Sequence, residues 1–132
     1  MQVSYNERIM HYLHQDQRIG TLDEALPNVS AIHRQHPASL TRCSLYFALE
    51  QESVSAVKYK VYGCGITIAS MAWVAEFVEN KTVAEITALT LEDIITALEI
   101  PKAKHHCAMM VYEMVLAGID PKKSREKNDY IN

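Results

Sequence analysis

KYKVYGCGITIASMAWVAEFVEN, residues Lys58 to Asn80, changes its hydrophobic period halfway along. Up to Tyr62 the residues alternate, with Val57, Tyr59 and Val61 on one side and Lys58, Lys60 and Tyr62 on the other, which predicts a half-exposed strand. From Ile66 onward the period is helical. Ile66, Ala69, Trp73 and Phe77 share a face, Ile68, Met71, Ala72 and Ala75 fill the others, and Glu76 is the only charge before the end. A helix apolar on nearly every side is a buried one, which places Trp73 and Phe77 in the core. Between strand and helix stands Gly63-Cys64-Gly65, a thiol flanked by two residues that permit unusual backbone angles. Backbone N–H groups and the positive end of the helix dipole favour thiolate there, so Cys64 is the foremost candidate for a reactive or metal-binding atom.

Working toward the N-terminus, Arg42 to Glu50 alternates: Cys43, Leu45, Phe47 and Leu49 on one face, Ser44, Tyr46, Ala48 and Glu50 on the other. It pairs with the strand ending at Tyr62 as an antiparallel hairpin through Gln51 to Ser53. Residues 16 to 39 carry Gly20, Pro27 and Pro37 and read as loop, with one short strand over Val29 to Ile32. Tyr5 to Gln15 offers Ile9, Tyr12 and Leu13 at helical spacing behind a cap at Asn6 or Ser4.

Toward the C-terminus come two boxes, Thr82-Val-Ala-Glu85 and Thr90-Leu-Glu-Asp93, whose hydroxyl and carboxylate satisfy the free N–H groups that open a helix. They predict short helices over 83–89 and 91–98. Pro101 precedes a last helix with Cys107, Met110, Val111 and Met114 as its inward stripe, ending near Gly118. Strands first and helices afterwards is an α+β pattern: a small antiparallel sheet of about three strands, helices packed on one face.

At 132 residues, 48% of them apolar, the chain is expected to be one domain over 1–132 with a core of its own. A net charge of −3 and scattered Lys and Arg exclude a nucleic-acid footprint. The short run Lys122 to Lys127, mixed with Glu126, reads as a solvated tail. No stretch approaches the ~18 apolar residues that cross a bilayer, and no secretory leader opens the sequence, so a cytoplasmic protein away from membranes is expected. Three cysteines, an odd number, argue for free thiols or metal ligands over a disulfide framework.

The second thiol of interest stands in Lys104-His105-His106-Cys107 at the start of the last helix. Neighbouring helical residues point roughly 100° apart, so His106 and Cys107 share one metal only if their side chains wrap the helix end. The other reading leaves Cys107 as the first residue of the apolar stripe. His11 and His14 read as surface positions, and His33 and His36 lie in the loop before Ser39.

The GCG loop followed by Ile-Ala-Ser, the Lys-Thr-Val-Ala-Glu cap, then a proline and a Lys-x-His-Cys that opens a helix, in this order and spacing, resembles the IscU/NifU family of iron–sulfur cluster scaffold proteins. YNERIMHYLHQDQRIGTLDE looks like that family's opening helix and loop, so the resemblance spans nearly the whole chain. It implies a scaffold that holds iron or a transient [2Fe-2S] cluster, takes sulfur from a cysteine desulfurase, and releases its product with J-protein and Hsp70-type chaperones. By position, the second family cysteine is Cys64, the assisting histidine is His106 and the third cysteine is Cys107. The first departs: Pro-Ala-Cys-Gly-Asp of the family reads Pro37-Ala38-Ser39-Leu40-Thr41 here, without the thiolate or the aspartate. Cys43 lies four residues further, about 13 Å along an extended strand, and its stripe with Leu45 and Phe47 marks a buried small hydrophobe. The chaperone-binding Leu-Pro-Pro-Val-Lys of the family reads Ile100-Pro101-Lys102-Ala103-Lys104.

Three protein donors remain where a site closes with four. Water, His105, His36, Ser39 or a partner's cysteine could supply the fourth, or two chains could share one cluster as a homodimer. The alternative is a divergent paralogue, zinc-bound or metal-free, that regulates the desulfurase as an adaptor. A Cys64–His106 nucleophile has no third residue to orient it, so the expectation is a scaffold and not an enzyme.

Overall fold

The computed structural model describes residues 5–119, and both Ser4 and the Lys122–Lys127 tail lie outside them. Three strands, β1 (Val29–His36), β2 (Thr41–Glu50) and β3 (Ser53–Tyr62), form an antiparallel sheet in the order β1-β2-β3. Its register sets Arg34 opposite Cys43 and Cys43 opposite Val61, then Leu45 opposite Tyr59 and Phe47 opposite Val57. The stripe of Cys43, Leu45 and Phe47 is buried as the alternation requires. This is the α+β arrangement expected from the sequence.

Five helices follow the same chain order: α1 (Glu7–Leu13), α2 (Gly65–Val78), α3 (Val83–Thr87), α4 (Leu91–Leu98) and α5 (His105–Gly118), the last preceded by a 3₁₀ turn, Lys102–Lys104. α2 packs on β3, and α5 packs on β1 and β2. α1 rests on α2, where the Tyr12 hydroxyl donates to Glu76 Oε1 at 2.6 Å, and α4 fills the angle between α2 and α5. Asn6 caps α1 by accepting from the Ile9 N–H and also donates to the carbonyls of Leu98 and Glu99, which ties α1 to the end of α4. Both Thr-x-x-acid boxes close reciprocally, at Thr82–Glu85 and Thr90–Asp93.

Three expectations need correction. β1 runs to His36, not only to Ile32, because strand pairing with Thr41–Ala48 carries the polar run His33-Arg34-Gln35-His36 that no hydrophobic alternation marks. The β2–β3 turn is two residues, Gln51 and Glu52, both in the left-handed region at φ 49° and 65°, so Ser53 already belongs to β3. Trp73 and Phe77 are only partly buried, packed against the margin of the core: their rings stack at 5.4 Å, with Lys81 Nζ 5.2 Å from the Phe77 centroid.

The segment before β1 covers one edge of the sheet. Gly20 N–H donates to the Tyr59 carbonyl, Tyr59 N–H donates to the Arg18 carbonyl, both at 2.9 Å, and the Arg18 guanidinium reaches Glu79 at the end of α2. At the far end of α5, a Cβ on Gly118 would stand 2.4 Å from Phe47 Cε2 and 2.6 Å from Ile32 Cδ1, both fully buried side chains. Gly118→Ala is therefore expected to lower unfolding free energy by about 1–3 kcal/mol, measured by denaturant titration. Ser70→Ala has the opposite sign: the Ser70 hydroxyl is buried with no hydrogen-bond partner among the described residues, and its removal is expected to raise stability by about 1 kcal/mol.

Candidate metal centre

Three chain segments meet at one end of the sheet: the β1–β2 turn 37–40, the Gly63-Cys64 link from β3 into α2, and the first turn of α5. They surround an open cavity of about 400 Å³ lined by His36, Ser39, Cys64, Thr67, His106 and Cys107, together with Thr41, Lys104, Met109, Met110 and Glu113.

Cys64 is exposed and forms the N-terminal cap position of α2. Gly63 and Gly65 do not serve it through unusual backbone angles, as the sequence suggested, since neither has a positive φ. They serve through space. A Cβ on Gly65 would stand 2.6 Å from the Tyr5 hydroxyl oxygen, and one on Gly63 would stand 3.1 Å from Thr41 Cγ2. The loop carrying the thiol thus lies close under Tyr5 and against Thr41.

Cys107 enters from α5, and its sulfur stands 3.7 Å from that of Cys64. A tetrahedral metal bound at about 2.3 Å to both sulfurs would hold them roughly 3.8 Å apart. The two thiols already have the spacing of ligands on one ion. His106 Nε2 lies 3.6 Å from Cys107 Sγ, so the imidazole does wrap the helix end. Cys64, Cys107 and His106 form a chain of contacts, but among the described residues no three His, Cys, Asp or Glu side chains are placed to hold one metal ion together as they stand.

Electrostatics divides the two thiols. The hydrogen bond from Cys107 is the largest influence on Cys64 and brings its pKa down to about 4; the Thr67 hydroxyl, 3.3 Å away, and the backbone N–H groups of Thr67 and Ile66 add to this. Cys107 moves the other way, its thiol kept protonated by the bond it donates to Cys64 and by burial. One proton is held between two sulfurs, with the negative charge on the exposed one.

The other candidates divide as well. Ser39 and His36 border the cavity, but Ser39 Oγ is engaged, 3.2 Å from His36 Nδ1 and 2.9 Å from Thr41 Oγ1. His105 turns away, its Nε2 lying 3.1 Å from the Ile100 carbonyl oxygen. Cys43 is 2% exposed in the core, where burial pushes its pKa up to about 12. Among residues the sequence reading passed over, Thr67 carries the clearest signal: a hydroxyl three positions after the capping cysteine, in the first turn of a largely apolar helix. Leu40 is another. It takes a φ of 60°, in the left-handed region, at the place where the resembled family has glycine, and is 65% exposed.

Comparison with known proteins gives a consistent picture. The family described as NifU-like N terminal domain matches residues 4–129. The iron-sulfur cluster assembly scaffold protein IscU of Escherichia coli is 29% identical over 95% of this chain and 98% of its own length. The iron sulfur cluster assembly protein 1, mitochondrial, of Eremothecium gossypii is 29% identical over 93% of this chain and 81% of its length. Among solved structures, a NifU-like protein (N-terminal) from Brucella abortus superposes with a TM-score of 0.70 at 20% identity, covering 92% of this chain and 94% of that one. A putative iron-sulfur cluster assembly scaffold protein for the SUF system from Fervidobacterium islandicum gives 0.69 at 18% identity, covering 88% and 96%.

The shared proton has a measurable signature. In metal-free protein, alkylation of Cys64 is expected to rise as the pH passes about 4 and to change little from there to neutrality. Cys107→Ala removes the main cause of the depression and is expected to shift that rise to higher pH, read by mass spectrometry of the alkylated peptide.

Proposed function

The chain belongs to the NifU-like N terminal domain family, and from that premise we propose that it is an iron–sulfur cluster assembly scaffold whose cargo, iron or a [2Fe-2S] cluster, is held by Cys64, Cys107 and His106. The observation that carries this reading is the pair of sulfurs 3.7 Å apart at the mouth of an open cavity. Thiolates are soft donors suited to iron–sulfur cargo, and imidazole is a donor common to iron and zinc. The names borne by the Escherichia coli and Eremothecium gossypii relatives support the same role. Sulfur reaches the site from a cysteine desulfurase. The cavity gives a partner direct access to Cys64, while the remaining coordination comes from Ser39, His36, water or a second chain.

A second reading is favoured by one feature, the hydroxyl residues at the first-donor stretch. Ser39 is held by His36 and Thr41, and with no aspartate beside it Cys64, Cys107 and His106 are the strong donors at hand, a set that would suit zinc with an open fourth position once the His106 side chain turns toward the two sulfurs. In that case the chain is a zinc-bound or metal-free adaptor of the desulfurase. Chaperone-assisted release would use Pro101, Lys102 and Ala103, all exposed at the 3₁₀ turn.

Anaerobic incubation with ferrous iron, cysteine and a cysteine desulfurase is expected to produce the visible sulfur-to-iron charge-transfer absorption and to lose it in Cys64→Ala and Cys107→Ala. Ser39→Cys restores a thiolate at the first-donor position and is expected to slow loss of that colour to a chelator. Desulfurase binding without any colour, with stoichiometric zinc in its place, would give the second reading.

A further inference from the structure

The two cavity thiols differ in access. Cys64 is exposed, whereas Cys107 is 6% exposed behind it, so a sulfur donor entering the cavity meets Cys64 first. Cys107 nonetheless has its sulfur 3.7 Å from the Cys64 sulfur, in van der Waals contact with the atom that would carry an added sulfur. Cys43 is sealed in the core at 2% exposure, and Ser39 stands where a third cavity thiol would be. The site is therefore a two-thiol site with an outer and an inner member.

We propose that this chain liberates sulfide on its own: a persulfide formed on Cys64 is resolved by Cys107, which leaves a Cys64–Cys107 disulfide and hydrogen sulfide. The proposal rests on the sulfur-accepting role given above and adds the fate of the sulfur. The donor is a protein or low-molecular-weight persulfide, R–S–SH. Cys64 attacks its outer sulfur, the S–S bond breaks, the donor leaves as the thiol R–SH, and Cys64 holds the extra sulfur as –S–SH. Once Cys64 carries the persulfide it is no longer the thiolate that kept Cys107 protonated; the Cys107 proton passes to the terminal sulfur, and Cys107 Sγ, now a thiolate, attacks Cys64 Sγ. The Sγ–Sγ bond forms, the bond to the outer sulfur breaks, and that sulfur departs with the bonding electron pair and the Cys107 proton as H₂S. The sulfane sulfur is reduced by two electrons, and the two cysteines supply them by becoming a disulfide. A dithiol reductant returns both to thiols for another round.

The geometry favours this over retention of the persulfide. A disulfide requires the sulfurs to be about 2.05 Å apart, an approach of about 1.7 Å from their present contact. Cys64 sits before α2 begins, and Cys107 lies in the first turn of α5, two places where side-chain rotation leaves the helices themselves in place. No third accessible thiol among the described residues competes for the inner sulfur.

The test uses the full, metal-free chain under anaerobic conditions with glutathione persulfide as donor, reading released sulfide and the intact mass after alkylation. Wild type is expected to release about one sulfide per chain and to end with a Cys64–Cys107 disulfide, and added dithiol reductant is expected to sustain release over many turnovers. Cys107→Ser is expected to stop at Cys64 carrying one extra sulfur, and Cys64→Ser to show neither product. Cys43→Ala is expected to behave as wild type. A wild-type chain that keeps its persulfide, or a disulfide that includes Cys43, overturns the proposal. Reconstitution with ferrous iron and inorganic sulfide, which bypasses sulfur transfer, separates the two readings. Colour there beside a retained persulfide leaves the scaffold and removes this proposal; a sulfide burst with disulfide but no colour does the reverse.

Discussion

The contact between α2 and α5 is the constraint on which the site depends. Each helix starts at the same end of the sheet and brings one thiol with it, Cys64 before the first turn of α2 and Cys107 in the first turn of α5. Neither helix could reach this position by its own propensity. α2 lies on β3 and α5 on β1 and β2, both drawn there by burial of their apolar faces, and the sulfur-to-sulfur distance is a by-product of that packing. A site made this way rests on the core behind it, although it opens to solvent.

Close approach of backbone is what permits the packing. Gly118 lets the end of α5 lie against Phe47 and Ile32, and Gly65 lets the chain pass beneath Tyr5. These positions fix the two ends of the helix layer, one over the sheet and one beside the cavity. Glycine acts here by lacking a side chain, since its freedom of backbone angle is needed only at Gly20, with φ 148° in the segment along β3. Leu40 shows the converse. It holds a left-handed conformation with a full side chain, so the turn carrying Ser39 keeps its shape at a cost of about 1–2 kcal/mol that glycine would avoid.

Much of this was legible in the sequence, for identifiable reasons. Alternation in β3 and in β2 as far as Leu45, the two capping boxes and the largely apolar character of α2 each reflect a local rule that the folded chain obeys, whereas Tyr46, on the outer face by alternation, is buried too and the register shifts between Ala48 and Leu49. What escaped was set by neighbours distant in sequence. The second half of β1 is polar and becomes a strand because β2 offers a partner. Trp73 stays only partly buried because α2 meets α1, α4, α5 and β3 on its other sides. At the site, Cys64 and the His106-Cys107 pair could be named from their loop and helix positions. Their mutual distance could not, nor could the loss of His105 to the Ile100 carbonyl, because both depend on where α5 begins relative to the 3₁₀ turn.

The segment from Arg18 to Gly20 that lies along β3 also bears on how this chain behaves at high concentration. A three-stranded sheet has two outer strands able to recruit a strand from another molecule, and here one is already occupied by the chain's own backbone. The other, β1, ends in His33-Arg34-Gln35-His36, a run too polar to stack into a dry fibre. Aggregation by strand addition is thereby discouraged on both flanks, including beside the cavity, where the polar end of β1 at His36 forms part of the wall.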